Sequence, residues 1–331
     1  MCSAVFSSPS ATRTASSPAW AWARTYLQNR VARIYPMYLL LTVVTFALIQ
    51  YVGSPWTWYD YQQQWDSLIA RDKLFALFAN LTLTRAYFDR LQFMGVYTAW
   101  SLTVEETFYL CAPLILLTVR QRAWRLVPWV VGLLGLGVLL VKLLPAYRYM
   151  GFMAGGQHLF AFTFFGRASE FAAGMALAIW LRRHPAARVG PWLTVAGVAG
   201  LLAFQLFYSL NLWDKKTNWP VDTAWHLPYS LPVAVLFAGL VLERTWLRRL
   251  LETKLFDQLG KSSYIFYLIH VGIIDQGFRA YLSGNVWVRL LGYILVSFAL
   301  YKLVEHPLFN LLRSRRAVSS IPAAKPVAAA S

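Results

Sequence analysis

WSLTVEETFYL (100–110) sets two adjacent carboxylates, Glu105 and Glu106, inside a run that is mostly apolar from residue 99 to residue 119. An ionised side chain at mid-bilayer costs about 2.5 to 3.5 kcal/mol on insertion scales, so an acid at that depth needs an interior-facing, hydrated or partnered position. On a helix, Ser101 and Glu105 are four apart and share a face, whereas Glu106 lies about 100° round with Leu102 and Tyr109. The two acids therefore require different partners. One can bind a cation or orient a base while the other takes part in proton transfer. The structural alternative is that each neutralises an arginine buried between helices.

The surrounding sequence fits a bilayer solvent. Of 331 residues, 58% are hydrophobic and only 14% charged, where a soluble domain is closer to half and a quarter. Apolar runs long enough to cross the roughly 30 Å hydrocarbon core lie at 34–52, 99–119, 124–144, 159–181, 191–210, 225–242, 262–278 and 286–304. This predicts an all-α polytopic membrane bundle of about eight transmembrane helices, because backbone polar groups in lipid must pair within each segment. The shorter stretch 74–88, which carries Asn80, Thr82, Thr84 and Arg85, reads as an interfacial or re-entrant helix.

The net charge of +17 does not point to nucleic acid, since the basic residues are dealt out between hydrophobic segments and form no single patch. With the region of Arg30 inside and eight crossings, most Lys and Arg fall on the inner side, in short loops such as RQRAWR, RRHPAAR and RTWLRRLLETK. The positive-inside rule then places both termini in the cytoplasm. Aromatic outer loops, PWTWYDYQQQW and NLWDKKTNWPVDTAWH, suit interfacial anchoring, with stacking on a sugar as the other reading. Cys2 and Cys111 are the only cysteines, so neither a disulfide framework nor a thiolate metal site is indicated. No metal, Walker or dinucleotide signature is found. The expected organisation is a Ser/Ala/Thr-rich tail over 1–23, a membrane domain over 24–312 and a C-terminal cytoplasmic tail over 313–331.

Further candidates stand elsewhere along the chain. Arg30 and Arg33, in RVARIYP, are three apart just ahead of the first apolar run and can form a fork for phosphates; positive-inside anchoring is the plainer alternative. Pro36 is expected in the first helical turn, where its missing N–H is harmless. Arg167 and Glu170 are three apart on one helix and form a candidate structural ion pair. His270 is placed near the middle of its span, as a general base or as an interhelical hydrogen-bonding group.

RVARIYPMYLL, WSLTVEETFYLCAPLI, RASEFAAGMALA, LGKSSYIFYLIH and LVEHPL, in that order, resemble the signatures of the bacterial membrane acyltransferase 3 family, whose members include O-acetyltransferases of surface glycans. The resemblance covers nearly everything from Arg24 to Leu312. It implies an integral-membrane acyltransferase of the bacterial inner membrane. The acyl group, acetyl by preference, would pass from acyl-CoA, the co-substrate, to a hydroxyl of a saccharide or lipid-linked glycan, with no bound cofactor and no metal. Residue by residue, it implies Arg30 and Arg33 at the donor's phosphates, Trp100, Ser101 and Glu305 in substrate binding, and Glu105, Glu106 and His270 in catalysis. Family members usually begin with two further helices, the first bearing an Arg and a His, and nothing before Arg24 matches them. Two other readings stay open: a non-catalytic truncated paralogue or partner of an intact enzyme, and a small-solute transporter.

Overall fold

The computed structural model describes residues 19–51, 61–119, 122–144, 149–184, 192–209 and 226–313. Among them every regular element is helical, with one isolated antiparallel bridge between Phe88 and Phe152. Most of both expected tails, most of the two aromatic outer loops and parts of the basic inner loops lie outside the described residues, while 19–23 of the expected N-terminal tail are helical.

Among the described residues, four helical stretches are long and apolar enough to cross a membrane, where the sequence reading expects eight: Trp20–Gln50, Tyr97–Val119, Ala123–Leu143 and Val286–Leu312. The shortest has 21 residues, about 31 Å of helix. The first belongs to α1 (Ala19–Tyr51), which opens well ahead of the expected run. Pro36 consequently sits inside the helix, not in its first turn. A proline there forfeits one backbone hydrogen bond, which lipid-embedded helices tolerate when a neighbour covers the freed groups. Close by, the Tyr264 hydroxyl donates to the Ile34 carbonyl at 3.0 Å.

After α2 (Tyr61–Asp66) and α3 (Ala70–Leu81) the chain enters an irregular segment before α4 (Trp100–Val119). The expected interfacial helix therefore ends at Leu81. Arg85, fully buried, organises the irregular segment by donating to Asn80 Oδ1 at 3.2 Å and to the carbonyls of Met94 and Val96. Gly95, between those two carbonyls, has φ +87°, and a Cβ on it would stand 2.6 Å from Asn80 Oδ1.

α5 (Leu126–Leu143) lies at the surface of the bundle over much of its length, with Val127, Val131, Leu136 and Leu139 exposed. The apolar run 159–181 is not one span. Thr163 is extended (φ −110°, ψ 153°) and divides α6 (Gly156–Phe162) from α7 (Phe164–Arg183). Its hydroxyl donates to the Leu159 carbonyl at 2.7 Å, partly replacing the helical bond lost at the break. α8 (Leu193–Ser209) and α9 (His226–Leu242) pack together as a hairpin, and their apolar portions, Leu193–Phe207 and Pro228–Leu242, are shorter than the four long stretches. Buried Glu243 ties the hairpin by accepting from Leu193 N at 2.6 Å, Thr194 N at 3.0 Å and Thr194 Oγ1 at 2.5 Å.

The run 262–278 is also divided. Beyond α10 (Trp246–Leu251), α11 (Lys254–Ile269) stops at His270, Gly272 turns the chain at φ +94°, and α12 (Ile273–Tyr281) follows. The left-handed conformation at Gly272, which a Cβ would oppose, is what breaks the helix. α13 (Val286–Leu300) continues through a π turn (Tyr301–Glu305) into α14 (His306–Leu312). The central core joins Met37, Tyr38 and Leu41 of α1 with Leu102 and Phe108 of α4, Phe164 of α7 and Ile265 and Leu268 of α11.

Candidate active site

α4 carries Ser101, Glu105 and Tyr109 at four-residue intervals, one stripe along the helix. The Tyr109 hydroxyl donates to Glu105 Oε1. Its ring lies beside the Arg30 guanidinium, 5.1 Å from the centroid, and Arg30 also lies 5.3 Å from the Tyr26 ring. Tyr26 and Tyr109 meet edge to face at 6.2 Å. Arg30 is only 8% exposed, and a desolvated cation gains most from aromatic faces. The paired-Arg segment and the Trp-Ser-Leu-x-x-Glu-Glu segment are thus joined through two tyrosines. Angular reckoning alone groups Tyr109 with Glu106. Helical side chains lean towards the N-terminus, so the residue at i+4 reaches back to i, which is Glu105.

Glu106 turns elsewhere. It is partly buried near Tyr35, and its Oε2 is buried without a hydrogen-bond partner among the described residues. Arg33 parts company with Arg30: it is exposed, and its charge acts on Glu305. Glu305 is 7% exposed on the π turn, and its Oε2 likewise has no hydrogen-bond partner among the described residues. Carboxylate oxygens without partners are costly in a dry interior, and Glu106 and Glu305 each have one among the described residues.

At the start of α4, Ser101 Oγ and Tyr267 Oη lie 2.7 Å apart, and Thr98 Oγ1 donates to the Tyr267 carbonyl at 2.8 Å. Trp100 packs 5.3 Å from the Arg167 guanidinium. Arg167 in turn bonds both carboxylate oxygens of Glu170, at 2.8 and 3.2 Å. The run that holds His270 breaks at that residue. His270 caps α11, with Nδ1 3.0 Å from the Tyr267 carbonyl and 3.2 Å from that of Phe266, and its ring stacks on Phe266. From this segment it is Tyr267 that reaches α4.

Sequence reasoning passed over Tyr26, Tyr267 and the buried Asp275, which receives Tyr293 Oη, Arg289 at 3.1 Å and Arg279 at 3.0 Å. Tyr267 stood in view three residues before His270. Asp275, four before Arg279, was legible as a helical pair. Among the described residues no group of three His, Cys, Asp or Glu is placed to hold a metal ion.

Among the described residues the fold is an all-helical membrane bundle with part-buried acids on the helix that faces a π-stacked arginine, and the chain belongs to the family described as acyltransferase domain, whose model matches residues 1–301. Among its relatives, an acyltransferase of Streptomyces mycarofaciens, MdmB, is 24% identical over 90% of this chain and 77% of its own length. The O-acetyltransferase OatA of Staphylococcus aureus (strain NCTC 8325 / PS 47) is 24% identical over 86% of this chain and 47% of its own. A protein of Staphylococcus aureus (strain COL), named provisionally as an O-acetyltransferase, is 27% identical over 60% of this chain and 33% of its own. The chain thus spans about a third of the length of that relative. No solved structure gives a significant match.

Proposed function

We propose that the protein is an integral-membrane O-acyltransferase, moving an acyl group, acetyl by preference, from acyl-CoA to a hydroxyl of a cell-envelope saccharide or lipid-linked glycan. The family match supports the reaction class. The observation that carries the site is the joined cluster of Arg30, Tyr26, Tyr109 and Glu105 with partnerless Glu106 Oε2 beside it. In the proposed reaction the acceptor oxygen attacks the thioester carbonyl, the C–S bond breaks as the C–O bond forms, and the acceptor's proton ends on the departing thiolate. Glu106 is the base that takes that proton and passes it on. Arg30 and Arg33 hold the donor's phosphates, with Glu305 setting the position of Arg33 and Glu105 that of Arg30. Trp100 and Ser101 lie on the acceptor side, Ser101 held by Tyr267, and His270 fixes the end of the helix that presents Tyr267.

In this reading the broken and short helices also cross, giving eight passes in a bacterial inner membrane with both termini cytoplasmic. Purified full chain in proteoliposomes should release free thiol from acetyl-CoA in an acceptor-dependent manner. Glu106→Gln and Arg33→Ala should each abolish that release with expression and insertion unchanged. Wild-type turnover in either variant removes the role given to it, and movement of a labelled solute without any thiol release would establish a transporter instead.

A further inference from the structure

From the layout of the irregular segment before α4 we infer a saccharide subsite built by Phe93, Tyr97, Trp100 and Phe162 and edged by Asp89. It deepens the acyltransferase reading and rests on it for the identity of the bound saccharide as acceptor. Phe93 and Tyr97 stack in parallel, with centroids 4.6 Å apart and planes within 8°. Phe162 of α6 stands edge-on to Phe93 at 5.4 Å and to Trp100 at 5.1 Å. All four rings are half-buried, so each keeps some surface open. Next to Phe162, at 5.8 Å between rings, is buried His158. It bonds the Ala86 carbonyl at 2.8 Å through Nε2 and faces Asp89 Oδ1 at 3.3 Å through Nδ1. Gln92 donates to the same Asp89 oxygen at 3.1 Å. The Asp89 side chain is 50% exposed, and its Oδ2 has no hydrogen-bond partner among the described residues.

That combination has a chemistry. Electron-rich ring faces attract the polarised C–H faces of a pyranose, and a fixed carboxylate oxygen accepts from its hydroxyls. Interfacial anchoring is the competing use of such rings, but it needs no fixed geometry, and here the geometry is held from within. Arg85 grips the carbonyls of Met94 and Val96, the residues lying between Phe93 and Tyr97 in sequence. Gly95 makes the tight turn that this grip requires. A rigid platform loses less freedom on binding than a mobile one. Trp100 is followed directly by Ser101, so a sugar on the platform lies at the mouth of the α4 stripe that leads to Glu105.

The test uses full-length protein in detergent with two probes, the tetramer of β-linked N-acetylglucosamine and maltotetraose, observed by saturation-transfer difference NMR. Transfer to pyranose ring protons of at least one probe is expected. The dissociation constant should rise at least fivefold in Phe162→Leu and in Asp89→Asn and return to within twofold of wild type in Phe162→Tyr, with unfolding midpoints showing that each variant is folded. No transfer to either probe, or undiminished binding in folded Phe162→Leu, overturns the subsite. Thiol release from acetyl-CoA is followed in parallel. Saccharide binding without thiol release upholds the subsite and defeats the acyltransferase reading. Acceptor-dependent thiol release whose acceptor KM is unmoved by Phe162→Leu defeats the subsite alone.

Discussion

Tyr109 serves two neighbours with one side chain, its ring against Arg30 and its hydroxyl on Glu105. The two services separate by substitution. Tyr109→Phe keeps the ring and, with Glu105 still in place, should leave the KM for acyl-CoA near wild type. Tyr109→Leu also removes a cation–π contact of about 0.5 to 2 kcal/mol and should raise that KM roughly 2- to 30-fold. Identical KM values in the two variants would show that the ring does not position Arg30. At this scale the sequence exposed the acids by their type, because a carboxylate in an apolar run is conspicuous. The tyrosines that serve them were hidden in a chain where 16% of residues are aromatic, and only side-chain direction on the helix singles out Tyr109.

Glu243 is the chief device at the level of elements, since one buried carboxylate receives three donors from the start of α8. Burial alone would raise its pKa, but the bonds from Thr194 and Leu193 prevail and hold it below the usual carboxylate value. A group whose folded pKa is depressed stabilises the protein above its unfolded pKa, about 4.3, and that contribution fades as pH falls through the folded value. The α8–α9 hairpin should therefore lose amide protection, measured against the intrinsic exchange rate at each pH, on acidification below about pH 4. Glu243→Gln should show the lower protection at every pH, with a loss of about 1.5 to 3 kcal/mol. A hairpin equally protected in both proteins would contradict this. Gly95→Ala forces a side chain into φ +87° and against Asn80; about 1 to 3 kcal/mol should be lost, read as a lower unfolding midpoint in detergent. Helix ends like these escaped the sequence reading for a physical reason. Hydropathy senses the solvent around a segment, not its backbone path, so 159–181 and 262–278 looked continuous. Their breaks rest on one threonine hydroxyl and one glycine.

For the whole molecule, the distribution of charge makes the firmest statement. The segment of Arg71 is expected outside and that of Arg249 inside, and both side chains are exposed. In a Cys2→Ser, Cys111→Ser background, Arg71→Cys should react with a membrane-impermeant maleimide on intact cells, and Arg249→Cys only after permeabilisation; the reverse pattern would invert the topology. The bilayer habit was legible from composition because lipid imposes it on nearly every residue. Span number was not, since it depends on where each helix stops. The π turn at Tyr301–Glu305 carries a consequence for inheritance. Such a turn amounts to one extra residue accommodated in an otherwise regular helix, and here it ends on the buried acid Glu305. Loss of a single codon, that of exposed Leu303, would remove that extra residue, so that the helix runs evenly and α14 keeps the face it presents. A reading-frame-preserving deletion at this surface position should thus be tolerated better than the same deletion in the regular turns of α13, an asymmetry that a table of point substitutions would never reveal.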